Sequence, residues 1–276
     1  MKLLKIINEE YENIDKTTSP QEIEIIAKKY AKEKIIKTFF DVLQDIWKKE
    51  DIGHERIEKE DIAPYAHFKY SFSDLNLAYT PEDITHFAIA LQRYEDSPAL
   101  FSSGALLSAL INYHHKETGY TGEYFLPLFH LNKTISYIGT ENTANVRVQG
   151  DVSINTCTRM KSGRVIIEGN TPGPIGSYME GGEIVLEKSI ITDNKNTRGT
   201  VGKGMSAGKI IVKGDAEYVG NNMSGGHILV EGDTRKNIGK NMTGGIIQVN
   251  GTIYYFESCL VKGGEIYNNE ERIYPK

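Results

Sequence analysis

Between Asn145 and Asn268 the chain repeats itself. Small-residue pairs stand at Ser162-Gly163, Gly181-Gly182, Ala207-Gly208, Gly225-Gly226, Gly244-Gly245 and Gly263-Gly264, and their second members are 19, 26, 18, 19 and 19 residues apart. The long step contains Asp193-Asn194-Lys195-Asn196, a polar insertion expected to bulge out as a loop. Two and four residues beyond each of the first five pairs stand Val165/Ile167, Ile184/Leu186, Ile210/Val212, Ile228/Val230 and Ile247/Val249. That alternation is the period of a strand with one buried face. Three residues before the second member come Met160, Met179, Met205, Met223 and Met242, and three before the last four of these come Gly176, Gly202, Gly220 and Gly239.

A repeat of this length cannot bury its own apolar face and has to stack on its neighbours. Parallel strands about 4.8 Å apart would turn each recurring position into a ladder. Glycine is then required at corners, where φ is positive or another backbone comes close. Methionine suits an irregular interior because it is unbranched. In the last copy Val261 replaces methionine and Ser258 replaces glycine, as expected of a terminal coil. No hexapeptide pattern is present, so the left-handed helix of acyltransferases is a poor match.

Val219-Gly220-Asn221-Asn222-Met223-Ser224-Gly225-Gly226 and Ile238-Gly239-Lys240-Asn241-Met242-Thr243-Gly244-Gly245 resemble the glycine-rich repeat shared by two enzymes. In glutamate synthase it forms the C-terminal domain, and in formylmethanofuran dehydrogenase it forms one of the subunits. The phrase Ile210-Ile211-Val212-Lys213-Gly214-Asp215 is similar to the repeat of the dehydrogenase. The resemblance covers about residues 145–268. It implies a right-handed parallel β-helix that holds catalytic domains or subunits in place, and it brings no catalytic residue with it.

The first half reads as helical. Ser19-Pro20-Gln21-Glu22 has a capping hydroxyl followed by proline at the first helical position. Ile26, Tyr30, Ile36, Phe39, Phe40, Leu43 and Trp47 then recur near a 3.6-residue period, which predicts one helix to about Lys49. Thr80-Pro81-Glu82-Asp83 and Ser97-Pro98 open two more, the last ending before Gly119. Residues 119–144 read as a connection with one short strand, Tyr124 to Phe129. The expected architecture is α+β with two domains: an α-helical domain over 1–132, then the connection and a right-handed parallel β-helix of six to seven coils over 133–276.

A net charge of −5 with both signs interspersed offers no basic stripe for nucleic acid and no polybasic run for a membrane. The segment Met1-Lys2-Leu3-Leu4-Lys5-Ile6-Ile7 runs straight into Glu9 and Glu10, so no secretory signal or spanning segment is expected and the cytoplasm is the expected location. Cys157 and Cys259 are too few for a disulfide framework. The methionine column could be imagined as a soft-metal site, but core packing explains it without Cys or His neighbours. None of the glycine turns carries the Gly-Lys-Ser/Thr of a phosphate loop. His227 shares a column with Arg164, Glu183 and Lys209 and reads as a surface residue. His114-His115 near Glu117 closes a helix, where cations are favoured by the dipole. No catalytic, cofactor-binding or metal-ligating residue is therefore expected.

One column breaks the pattern. The third position after the pair should face outward, yet it is Ile166, Val185, Ile211 and Leu229, followed by Gln248 and Tyr267. At about 25 cal/mol per Å² and roughly 100 Å² each, covering the four aliphatics would contribute at most about 10 kcal/mol. The helical domain or a second copy of the chain is expected on that face. The leading functional expectation is a non-catalytic scaffold that associates with itself or with other proteins. The alternatives are an accessory subunit of a larger redox or amidotransfer enzyme, or an enzyme that uses Tyr113, His114, His115 and Glu117.

Overall fold

The computed structural model describes residues 34–49, 77–190 and 199–275, with positions 19, 21, 22, 25 and 65 besides. The polar insertion at Asp193–Asn196 and the first seven residues lie outside these, as do Ile26, Tyr30 and the Trp47 side chain.

Among the described residues, three continuous α-helices precede the repeat: α1 Lys34–Lys49, α2 Pro81–Ala90 and α3 Ser103–Thr118. Ser19 and Glu22 exchange the reciprocal bonds of a helix start, Ser19 N donating to Oε2 (2.9 Å) and Glu22 N to Ser19 Oγ (3.3 Å). Thr80 and Asp83 close a capping box on α2. A 3-10 turn over Pro98–Ser102, capped by Ser97, leads into α3, which stops at Gly119 with φ of 66°. Ile36, Phe39, Phe40 and Leu43 are buried on α1, with the Phe39 and Phe40 rings 5.4 and 4.9 Å from Phe87 of α2.

The remainder is a β-solenoid of parallel strands. Its main sheet has nine strands: β1 Glu123–Pro127, β2 Asn145–Gln149, β3 Arg164–Ile167, β4 Glu183–Leu186, β6 Lys209–Val212, β8 His227–Val230, β9 Ile246–Val249, β10 Glu265–Asn268 and β11 Glu271–Tyr274. All pair in parallel except the last two. A second face pairs β5 Thr200–Val201 with β7 Tyr218–Val219 and continues through bridges Thr156–Ile175–Val201 and Val219–Ile238. A third is marked by Thr171–Ile190 and Ala216–Thr234–Ile253. The long step does not disturb the register, since Glu183 still faces Lys209.

The expected columns are interior files. The five methionines of the repeat are fully buried. Each methionine carbonyl accepts an N–H from the following coil: Met160 from Glu180 (2.8 Å), Met179 from Ser206 (2.9 Å), Met205 from Ser224 (2.8 Å), Met223 from Thr243 (2.8 Å) and Met242 from Lys262 (2.8 Å). Each methionine methyl also lies under the second small residue of the next coil. A Cβ placed on Gly208 would stand 2.7 Å from Met179 Cε, and one on Gly226 would stand 2.5 Å from Met205 Cε.

A second ladder fixes the corner after each main strand. Asp151 Oδ1 accepts from Asn170 N (2.7 Å), Ser189 Oγ from Asp215 N (3.0 Å), Asp215 Oδ1 from Asp233 N (3.0 Å) and Asp233 Oδ1 from Thr252 N (2.7 Å). Short polar side chains thus satisfy turn amides that have no strand partner.

Helices close the N-terminal end of the stack. The strand expected from Tyr124 to Phe129 is β1, the first rung of the main sheet, two rungs ahead of β3, which follows the first of the repeated small-residue pairs. Thr85 of α2 donates to the Phe125 carbonyl (2.8 Å), covering that edge. Ser108 of α3 donates to the Tyr137 carbonyl (3.0 Å), and Asn112 to that of Thr140 (3.1 Å). Helices and solenoid share one continuous apolar core, from Ile36 through Leu106 and Tyr124 to Ile266. At the other end the chain reverses through Asn269 and Glu270, both at positive φ, into β11. Tyr274 OH then donates to the Val261 carbonyl (3.2 Å), the last rung of the methionine ladder.

Candidate functional site: the outer face of the main sheet

Within each main strand the second and fourth residues enter the interior, so the first and third form columns on the outer face. In register the third column runs Phe125, Arg147, Ile166, Val185, Ile211, Leu229, Gln248, Tyr267. The four aliphatics expected there are consecutive. Ile166 and Val185 retain 7% and 4% of their accessible surface, yet neither belongs to the continuous interior. Ile211 and Leu229 are half-buried.

Charged columns flank this stripe. Arg147 pairs with Glu123 (2.8 Å) and Glu168 (3.2 Å), Arg164 with Glu183 (2.7 Å) and Lys213 with Glu187 (2.6 Å). Such partly exposed pairs contribute about 0–1 kcal/mol each, and their alkyl stems shield part of the aliphatic surface. Towards the C-terminal coils the fence lapses. The first column passes from Glu183 and Lys209 through His227 to Ile246, which is 38% exposed.

The four polar residues of the helical half do not converge. His114 is buried, its Nδ1 2.7 Å from Tyr124 OH and its ring against Tyr79 and Tyr120. His115 turns to the Tyr120 carbonyl (2.7 Å), Glu117 lies beside Lys116 (3.6 Å) and Tyr113 is half-buried. His114 and Tyr124 fasten α3 to β1. Burial lowers the His114 pKa, offset in part by Glu82 and Asp83, and burial raises that of Tyr124. His130, whose Nε2 reaches the Ile89 carbonyl of α2 (3.1 Å), is pushed down by burial to about 4. Among the described residues no three of His, Cys, Asp and Glu are grouped to hold a metal ion. Nor is any helix there long and apolar enough to cross a membrane.

The lowered histidine pKa values predict an acid-sensitive helix–solenoid junction. Folded-state pKa values below the ordinary 6.5 mean that the unfolded chain binds protons first as pH falls below 6.5. Stability should therefore decline between about pH 6.5 and 5, above the range where carboxylates dominate. Thermal melts across that window should show the decline, and His130→Gln should flatten it. An unchanged slope would remove His130 from the account.

Sequence reasoning passed over the corner ladder and the C-terminal reversal. The former has a signal in the recurring Gly-Asp of Gly150-Asp151, Gly214-Asp215 and Gly232-Asp233. The latter is weakly signalled, because Asn269-Glu270 contains no glycine. Comparison of the chain with protein-family models, curated proteins and solved structures finds no match.

Proposed function

We propose that the chain is a non-catalytic assembly protein of the cytoplasm, a right-handed β-helix whose outer face receives another protein chain or a second copy. The register of Ile166, Val185, Ile211 and Leu229 carries this reading, because four aliphatics on an outward column have no role in the interior they face away from. Of the half-buried members, Ile211 and Leu229, the second lies one rung from Ile246, where the first column is no longer charged. The docking surface is therefore the C-terminal half of the stripe.

Ile211→Asp should abolish association through this face, or lower the melting temperature if the covering comes from the chain itself. Light scattering after size exclusion, together with thermal melting, distinguishes these outcomes. If neither particle mass nor melting temperature changes, the stripe is not an interface.

A second reading is an accessory subunit of a larger redox or amidotransfer enzyme. The two copies Val219–Gly226 and Ile238–Gly245 favour it through their resemblance to repeats that serve that role. Co-purification with a metal- or flavin-bearing partner supports this reading; recovery only as a homo-oligomer supports the first.

A further inference from the structure

The position directly after β3, β4, β6 and β8 holds Glu168, Glu187, Lys213 and Glu231. After β9 it holds Asn250, the one asparagine of the chain that is followed by glycine. Asn250 is exposed, and Gly251 is required as glycine, because a Cβ there would run into the Gly232 carbonyl oxygen of the preceding coil. In earlier coils the amide of the corresponding glycine is held. Gly214 N donates to the Lys188 carbonyl (3.2 Å) and Gly232 N to that of Gly214 (3.2 Å). Among the described residues the Gly251 N–H has no acceptor. The Asn250 carboxamide is held instead, with Gln248 Nε2 donating to its Oδ1 (3.0 Å).

We propose that Asn250-Gly251 is a modification site, at which the chain deamidates itself through a succinimide with the help of Gln248. The Gly251 nitrogen bonds to Asn250 Cγ and loses its proton; the Cγ–Nδ2 bond breaks, and Nδ2 leaves with that proton as ammonia. No oxidant or reductant takes part. Glycine has no side chain to obstruct the approach of its nitrogen, and no hydrogen bond withholds the Gly251 N–H. As the nitrogen adds, negative charge develops on Oδ1, where the Gln248 amide already donates. Solvent water then opens the ring. Addition at Cγ gives aspartate, and addition at the main-chain carbonyl carbon gives isoaspartate, in which the chain runs through Cγ. Aspartate places a carboxylate where earlier coils carry Glu168, Glu187 and Glu231, and it leaves the backbone unchanged. Isoaspartate adds a methylene to the main chain between two fixed points: Asn250 N donates to the Val230 carbonyl (2.9 Å), and the Gly251 carbonyl accepts from Asn268 Nδ2 (2.8 Å). The extra length falls at the corner that joins β9 to the last coil, and it loosens the seat of β10 on β9.

Peptide mapping by mass spectrometry of the full chain, kept folded in mildly alkaline buffer and sampled over time, tests this. Deamidation should concentrate at Asn250, and electron-transfer fragmentation should find both aspartate and isoaspartate there. Gln248→Ala should slow the reaction about fivefold, the order expected of one neutral hydrogen bond, with circular dichroism showing the variant folded. The aged chain should exchange its amide hydrogens faster in β10 and β11 than Asn250→Asp, which carries the charge without the extra methylene. Asn250 intact in the folded chain, or reacting no faster than the asparagines that no glycine follows, overturns the proposal. An unchanged rate in Gln248→Ala overturns the assisted route, and equal exchange in the aged chain and Asn250→Asp overturns the loosening of the last coil.

Discussion

Gly226→Ala should lower the melting temperature by on the order of 10 °C, about twice the effect of Gly119→Ala. Both glycines have positive φ, 89° and 66°. At Gly119 a Cβ would meet nothing within 4 Å, so alanine there incurs only the left-handed backbone penalty, about 1–2 kcal/mol. At Gly226 the same Cβ would lie 2.5 Å from Met205 Cε and 2.9 Å from the Gly208 carbonyl oxygen, both in the preceding coil. The methionine is flexible and can yield, but the carbonyl belongs to a ladder and accepts the His227 N–H at 2.9 Å. Overpacking of this kind adds about 1–3 kcal/mol, and each kcal/mol moves the melting point by about 2–4 °C in a chain of this size. Thermal melts of the two variants side by side provide the check. Equal shifts would mean that no neighbouring coil lies against Gly226.

The repeat was legible because stacking makes the same demand at the same place in every coil. A methionine under a glycine needs that pair on each rung, so the requirement is written several times. Where a demand is met once, by a different residue, the signal disappears. Cys157 takes the place of the glycine three before methionine and holds φ of 55°, while Asn142, buried, heads the methionine ladder by accepting the Lys161 N–H (2.9 Å). Neither substitution can be read from a column that has otherwise set its residue type. β1 was legible as a short strand but not as the first rung, because no methionine precedes it at the spacing of the later coils.

The helices were legible through their ends, because capping is local. Thr80 with Asp83, Ser97 before Pro98 and Gly119 each make a bond or adopt a φ within a few residues. What the helices pack against is not local. The apolar faces of α2 and α3 announce burial without saying that β1 and the first coil lie beneath them. The outer stripe shows the same limit. Its four aliphatics stand out in the sequence, but the near-complete covering of Ile166 and Val185, against the half-buried state of Ile211 and Leu229, is a property of the folded chain.

The methionine file gives the second large effect. Met223 is fully buried, its methyl beneath Gly245 and its sulfur 3.5 Å from where a Cβ on Gly220 would stand. Met223→Ala removes that filling and should cost about 2–5 kcal/mol, because the ladder carbonyls on either side cannot close onto the void. Met223→Leu nearly conserves volume and should cost less than about 1.5 kcal/mol. Pairs of truncations then test the geometry. Met205 and Met223 occupy adjacent rungs about 4.8 Å apart, whereas Met160 and Met242 are separated by roughly 19 Å. The distant pair should be additive. The adjacent pair shares one void and should depart from additivity by about 0.5–3 kcal/mol, as expected of a stack in which each coil senses only its neighbours. Denaturant unfolding of the four single and two double variants measures both terms. If the adjacent pair is as additive as the distant one, the two side chains do not occupy one interior file, and the stacking that orders every outer column loses its support.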